Sequence, residues 1–322
     1  MKSKILEYLQ DTESDYLSGQ AMSQMLGVSR AAIWKVIHQL REEGYEIEAV
    51  PRKGYHLIHQ PDRLSPDCLA PYLLPENSIQ PLIHFATISS TNDYAKSIAL
   101  ESSEGTIIIA DEQTKGRGRR GRNWHSPANK NIYLSMILKP DLPIHQVPMF
   151  TQLAAAAVWE ALSTALPQLS IKWPNDLLYE GRKICGILTE MSGEMHALHY
   201  LVIGIGINVN TTQEDFPEDL QTIASSMRIE TGRELSRQQL AAQVIERLTF
   251  HYNQVIKTGS FETILDICRT HSSLLGETIN IHTRDSVQPA RAIQIDSEGR
   301  LVVDTKSGLQ HLSSGEVSIR KA

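Results

Sequence analysis

Apolar positions in residues 1–60 first fall at helical spacing and then turn to strand-like runs. Ile5, Leu6 and Leu9 mark one face of a helix over Lys2–Asp11. Ser18 and Ser29 stand where a side-chain oxygen caps the start of a helix, with Gly27 in the sharp turn between them. Ile33, Val36, Ile37 and Leu40 form an apolar stripe along the second of these helices, and Arg30, Ala31, Trp34, Lys35 and His38 fall on its other face. Beyond Gly44, Tyr45–Val50 and Tyr55–Ile58 predict strands around a tip, Pro51-Arg52-Lys53-Gly54. Helix, turn, helix and a basic-tipped hairpin make a winged helix-turn-helix.

Pro61–Pro66 reads as a linker, after which helical and strand patterns alternate irregularly to about residue 270. Leu153–Leu166 and Arg237–Lys257 predict helices; Gly105–Asp111, Asn131–Leu138, Ile171–Trp173, Lys183–Glu190 and His199–Asn208 predict strands. The tail predicts short strands at Thr278–His282, Ala290–Ile295, Leu301–Thr305 and Leu309–Leu312, with a turn at Ser313-Ser314-Gly315 among those between and after them. Strands of that length suggest a small, partly closed barrel. The expected division is α+β and multidomain: 1–62, 63–271 and 272–322.

Composition narrows the function classes. A chain of 322 residues is too long for one ordinary core, and 41% apolar with 21% charged residues is ordinary for a soluble protein. Gly105–Ala110 and Tyr200–Val209 are the longest apolar runs, far short of the ~18 residues that span a bilayer. No apolar stretch follows Met1–Lys4, and Cys68, Cys185 and Cys268 have neither CxxC nor Cys/His spacing, so a cytoplasmic protein with free thiols is expected. A net charge of −6 excludes a general polycation, leaving nucleic-acid contact to a local patch. Ser29, Arg30, Ala31, Trp34, Lys35, His38, Arg52 and Lys53 compose that patch, although Glu42, Glu43, Glu46 and Glu48 offset its charge. Packing or dimerisation alone is the competing use of this unit. Trp34 fits either a groove contact or burial by a neighbouring domain.

Gly116-Arg117-Gly118-Arg119-Arg120-Gly121 satisfies G-x-G-x-x-G, but Asn123-Trp124-His125-Ser126-Pro127 follows it and opens no helix. A dinucleotide fingerprint needs that helix, and a P-loop needs Gly-Lys-Ser/Thr, so both fail. Glycine permits close approach of the backbone to a ligand, and arginine offers forked donors to phosphate or carboxylate. The alternation predicts an anion clamp rather than a merely solvated basic loop, ordered only when an anion offsets the ~1–2 kcal/mol per residue of backbone entropy.

Farther on, Glu180-Gly181 predicts a two-residue turn that pairs Leu178 with Lys183. Asp176 then becomes a diagonal neighbour of Lys183 at roughly 7–8 Å in backbone terms. Lys172 shares that face by parity, and Gly186 opens the sheet to a ligand.

Together, Ser90-Thr91-Asn92, Gln113, Gly116–Gly121, Lys172–Asp176, Arg182-Lys183 with Gly186-Ile187, and Gly204–Asn208 resemble the motifs of biotin–protein ligases. With the winged helix in front, the whole chain resembles the bacterial bifunctional biotin ligase/biotin-operon repressor family. The resemblance implies a class II synthetase-like mixed α/β ligase domain followed by a small SH3-like β-barrel. It implies formation of biotinyl-5′-AMP from ATP and biotin with Mg²⁺, then transfer to a lysine of the biotin carboxyl carrier protein of acetyl-CoA carboxylase. Ser90, Thr91, Asn92 and Gln113 would hold biotin, with Arg117, Gly118 and Arg119 closing over it and the adenylate. Lys183 would lie at the activated carboxylate. Arg122, Trp124, Lys172, Asn175 and Asn208 would join Arg117 and Arg119 at the nucleotide. Asp176 would hold Mg²⁺ or assist the incoming lysine. A homodimer formed when adenylate is bound would place two winged helices on paired half-sites of double-stranded operator DNA. A non-catalytic biotin-sensing repressor and a ligase for another small acid, such as lipoate, are the alternatives.

Overall fold

The computed structural model describes residues 1–11, 16–74, 81–194, 197–282, 287–313 and 318–321. At the N-terminus α1 (Lys2–Asp11), α2 (Gly19–Leu26) and α3 (Arg30–Glu42) precede a hairpin of β1 (Glu46–Val50) and β2 (Gly54–His59). Ser18 Oγ accepts from Ala21 N at 3.0 Å and Ser29 Oγ from Ala32 N at 3.2 Å, so both expected caps are made. Gly27 ends α2 in the left-handed region at φ 66°, where a Cβ would be strained. Ile33, Val36, Ile37 and Leu40 bury against Ile5, Leu6, Leu9 and Met22, giving this unit its own core.

The expected linker is not a loose tether. Leu64 is fully buried in the central core, whereas Cys68, on α4 (Pro66–Leu69), packs into the N-terminal core with its sulfur 3.1 Å from Tyr45 Oη. Arg237 reaches back to Asp62, and Gln238 donates to Pro61 O at 3.2 Å. The prolines and polar residues that read as a spacer instead supply acceptors to buried donors.

The central unit contains β3 (Leu82–Phe85), α5 (Thr91–Ile98), β4 (Ile107–Ala110), β5 (Ile132–Leu138), α6 (Val147–Leu162), β6 (Leu169–Lys172), β7 (Asp176–Tyr179), β8 (Arg182–Glu194) and β9 (Ala197–Ile207). α7 (Met227–Thr231), α8 (Arg237–Thr258) and α9 (Glu262–Thr270) follow. Its seven strands run in the order β3-β4-β5-β9-β8-β7-β6, antiparallel except for β3 with β4. α6 and α8 bury their apolar faces in the large core, while Ala95 of α5 and Ala99, which caps its end, pack on Ile108, Ile137 and Val202 from the other side. α6 starts at Val147, earlier than Leu153, because Pro148 suits a first turn, and it ends at Leu162 rather than Leu166. The helices α5 and α9 and strand β3 are short and lay outside the expected elements.

The C-terminal unit has β10 (Thr278–His282), β11 (Val287–Ile295), β12 (Leu301–Thr305), β13 (Gly308–Leu312) and β14 (Ser318–Lys321), ordered β13-β12-β11-β10-β14. This small antiparallel sheet is the C-terminal unit expected, and among the described residues no ladder joins β13 to β14. Ser314 and Gly315 of the expected turn lie outside the described residues. This sheet docks on the central unit through its apolar face and through polar ties: Gly299 O accepts from Gln152 Nε2 at 2.7 Å and Trp173 Nε1 at 3.0 Å, and Ile295 O from Arg269 Nε at 2.8 Å.

Candidate active site

The site is built on a bare stripe of sheet. Gly186 pairs with Gly206, and Leu188 with Gly204, in the centre of the β8–β9 ladder. A Cβ at Gly204 would stand 2.0 Å from Asn92 Oδ1, one at Gly206 2.4 Å from Trp124 Nε1, and one at Gly186 2.8 Å from Trp124 Cζ3. The glycines therefore let an amide and an indole lie directly on the backbone.

Along this stripe runs a narrow slot headed by the N-terminus of α5. Ser90 caps that helix, accepting from Asp93 N at 3.3 Å. Thr91 N and Oγ1 donate to Gln113 Oε1 at 2.8 and 3.1 Å, and Gln113 Nε2 donates to Ser126 Oγ at 3.2 Å. Ser135 Oγ lies 2.8 Å from Thr91 Oγ1 and 2.6 Å from Asn92 Oδ1. Asn92 Nδ2 donates to Glu190 Oε2 at 2.9 Å and Leu188 O at 3.3 Å. Each polar group at this end is oriented by a neighbour before any substrate arrives.

The glycine–arginine loop covers the slot. Gly118 N donates to Arg122 O at 2.7 Å and Trp124 N to Gly116 O at 2.9 Å, with Arg120 and Gly121 in the left-handed region at φ 58° and 72°. Besides the anion expected to hold this loop down, protein groups reach it. Arg117 Nη2 sits 2.7 Å from Asp93 Oδ1 and 3.0 Å from Glu190 Oε1. Arg119 Nη1 donates to Asn175 Oδ1 at 2.8 Å, and burial lowers the pKa of this guanidinium.

Lys183 enters from the hairpin. Glu180 and Gly181 both have positive φ, 47° and 82°, and Leu178 pairs with Lys183 as expected. A bulge at Ile184 then sets Leu177 opposite Cys185 and Asp176 opposite Gly186. The extra residue returns Lys183 to the face of Gly186, so its stem lies on that glycine with Nζ 2.6 Å from Asp176 Oδ1. Lys172 pairs with Asp176 across β6–β7 and shares its face. Burial pushes the Cys185 thiol up, which removes it as a nucleophile beside Lys183.

Past Lys183 the slot opens into a chamber of about 250 Å³. Arg122, Lys172, Asp176 and Asn208 line the chamber; Ser90, Thr91, Asn92, Gln113 and Arg117 line the slot. Gly118, Arg119, Trp124, Asn175 and Lys183 line both. Arg117 is thus kept from the chamber, where it was expected to reach a nucleotide. Asn208 spends its amide on Lys183 O and Ser225 O, at 3.4 and 3.0 Å, and so fixes the segment that carries the lysine. As for a metal, the described residues contain no group of three or more His, Cys, Asp or Glu that would hold an ion, and Asp176 is paired with Lys183. The fit to a protein-held Mg²⁺ is poor.

Sequence reasoning missed the second layer, Asp93, Lys96, Ser135 and Glu190, and the apolar chamber wall of Phe216, Leu220, Ile223 and Ala224. Parity along β8 carries Glu190 to the face of Gly186 and Leu188, a signal present in the strand itself. The wall comes from irregular chain and carries none.

On the N-terminal unit Ser29, Arg30, Ala31, Lys35, His38, Arg52 and Lys53 are exposed. Trp34 is 59% exposed, its ring centroid 5.5 Å from that of His38, so no neighbouring unit buries it.

Comparison with known proteins places this geometry. Residues 84–208 match the biotin/lipoate A/B protein ligase family, residues 2–56 an HTH domain, and residues 274–320 the biotin protein ligase C-terminal domain. The bifunctional ligase/repressor BirA of Bacillus spizizenii is 38% identical over 321 residues, covering 99% of this chain and 98% of its own. The chain belongs to the bifunctional biotin ligase/repressor family. Within this family's reach, the biotin–[acetyl-CoA-carboxylase] ligase of Paracoccus denitrificans is 30% identical over 236 residues, 72% of this chain and 98% of its own. The solved biotin protein ligase from Aquifex aeolicus in complex with biotin and ATP superposes with a TM-score of 0.66 at 29% identity. That match covers 76% of this chain and 100% of the other.

Proposed function

We propose that this protein is an ATP-dependent biotin–protein ligase that charges the biotin carboxyl carrier protein of acetyl-CoA carboxylase and represses biotin-synthesis genes. The observation that carries the reading is the rim shared by slot and chamber, where Arg119 and Lys183 stand together. Biotin occupies the slot and ATP the chamber. A biotin carboxylate oxygen attacks the α-phosphorus, the bond to pyrophosphate breaks, and biotinyl-5′-AMP remains. The neutral amine of a carrier lysine then attacks the acyl carbon, forms the amide, expels AMP and loses its proton to solvent. Both reactants of the first step are anions, and the two cations at the rim offset their repulsion and the charge that develops at phosphorus. Trp124 and the apolar wall suit the base, with Arg122, Lys172 and Asn175 toward the phosphates. Asp176 orients Lys183, and Mg²⁺ arrives on the triphosphate as part of the substrate.

The polar end of the slot favours biotin over lipoate. Thr91, Asn92 and Gln113, already fixed by one another and by their neighbours, keep spare donor and acceptor capacity that suits a ureido ring and that a dithiolane cannot use. Pyrophosphate–ATP exchange should depend on biotin and not respond to lipoate. Exchange absent with every acid would leave a non-catalytic sensor.

Gly204→Ala gives a direct check on the slot. Its Cβ would stand 2.0 Å from Asn92 Oδ1, so the amide must shift by about 1 Å. kcat/KM for biotin should fall about a hundredfold, measured by exchange at subsaturating biotin.

Repression rests on the exposed face of α3 and the wing tip. We further propose cytoplasmic residence and dimerisation of the adenylate-bound form, which spaces two winged helices for paired half-sites. Among the described residues no helix is long and apolar enough to cross a membrane. Arg30→Ala should weaken DNA binding at all sequences and reduce the salt slope by about one. Titrating operator fragments at several salt concentrations measures it.

A further inference from the structure

Glu190 is a carboxylate that the proposed chemistry does not use, yet it touches both the floor and the cover of the slot. Its Oε2 accepts from Asn92 Nδ2 at 2.9 Å, and both of its oxygens lie 3.0 Å from Arg117 Nη2 on the loop. Lys96 Nζ, one turn along α5, reaches Oε1 at 2.8 Å and Asp93 Oδ1 at 3.1 Å, and Asp93 meets Arg117 at 2.7 Å. Two carboxylates and two cations therefore interlock across β8, α5 and the loop. Glu190 and Lys96 form its inner half, their side chains 25% and 28% exposed, and Arg117 and Asp93 its outer half at 39% and 44%.

We propose that Glu190 is a positioning residue that ties the orientation of Asn92 to closure of the Gly116–Gly121 loop. One carboxylate fixes the amide on the floor and the guanidinium that anchors the cover. A small acid that is oriented by Asn92 thus gains a closed loop, and an unlatched loop takes Arg117 from Glu190 and leaves Lys96 alone to hold the carboxylate that accepts from Asn92. Burial would raise the pKa of this carboxyl, but hydrogen bonds from Lys96 and Asn92 hold it below its ordinary value. The latch stays charged throughout the neutral range. Arg117 then serves as an anchor, and Arg119 and Lys183 remain the cations at the reacting groups.

The assignment rests on the ligase reading for its kinetics and on geometry alone for its effect on the loop, so the test has two arms. In the first, Glu190→Gln keeps shape and removes charge, and biotin KM should rise about tenfold while kcat changes little. Arg117→Met should raise biotin KM similarly, and the double variant should be no worse than either single one. In the second, trypsin should cut after Arg119, Arg120 or Arg122 several times faster in Glu190→Gln than in wild type, without any substrate added. Multiplying effects in the double variant, or unchanged KM and cleavage in Glu190→Gln, would overturn the latch. Should Glu190→Gln misfold, Asp93→Asn carries the same cycle through its own contact with Arg117. Wild-type protein without biotin-dependent exchange, but with loop cleavage governed by Glu190, would remove the ligase reading and leave the latch standing.

Discussion

Replacing Lys183 by methionine should slow biotin adenylation by two to three orders of magnitude while leaving the fold intact. The side chain's length and apolar stem are kept, so the contact over Gly186 survives and no void opens. What disappears is the ammonium, 2.6 Å from Asp176 and on the rim common to slot and chamber. Removing one preorganised donor from a site of developing charge costs about 10²–10³ in rate. The register of the hairpin rests on its turn and the bulge at Ile184, not on the lysine head, which is why stability should hold. Since Asn92, Thr91 and Gln113 are untouched, biotin affinity should fall far less than kcat. Pyrophosphate exchange at saturating biotin separates the two effects. An exchange rate equal to wild type would remove Lys183 from the reacting centre.

How far the site could be read from the chain follows from local geometry. The caps at Ser18 and Ser29 and the Glu180-Gly181 turn were legible because each is set by residues within a few positions. The pairing of Leu178 with Lys183 followed from that turn, but the bulge one residue later did not. Without it Lys183 and Gly186 would point to opposite faces; with it the lysine lies on the glycine. The loop was legible as an anion clamp in composition, yet composition could not show that Arg117 is already answered by Asp93 and Glu190 from two other elements. Arg119 and Arg117 look alike in the sequence and differ by their neighbours. The linker at Pro61–Pro66 was legible as a connection, but its ties were not, since they come from residues on α8 such as Arg237.

Replacing Arg237 by methionine should destabilise the protein by about 3–5 kcal/mol. This guanidinium is fully buried and spends its donors on four acceptor groups from three residues. Nε reaches Asp62 Oδ2 at 2.8 Å, Nη1 reaches Asn131 O at 2.9 Å, and Nη2 reaches Asp62 O at 2.6 Å and Asp111 Oδ1 at 3.3 Å. Asp111 closes β4, takes Leu64 N at 3.3 Å and pairs with His84 at 2.7 Å, so the linker, the sheet and α8 share one junction. Methionine refills the volume and leaves a buried carboxylate without its guanidinium, which is the costly half of breaking such a pair. A denaturant midpoint that falls with an unchanged slope would report that loss. Adding Asp111→Asn to the variant removes the stranded charge and should recover part of it; a double variant weaker than Arg237→Met would show that the carboxylate is held by His84 and Leu64 alone. Because Asp62 lies at the end of the winged-helix unit, the same variant should also loosen the tie between that unit and the sheet. Trypsin should then cut after Arg63 faster than in wild type, at denaturant concentrations where the central sheet is still folded.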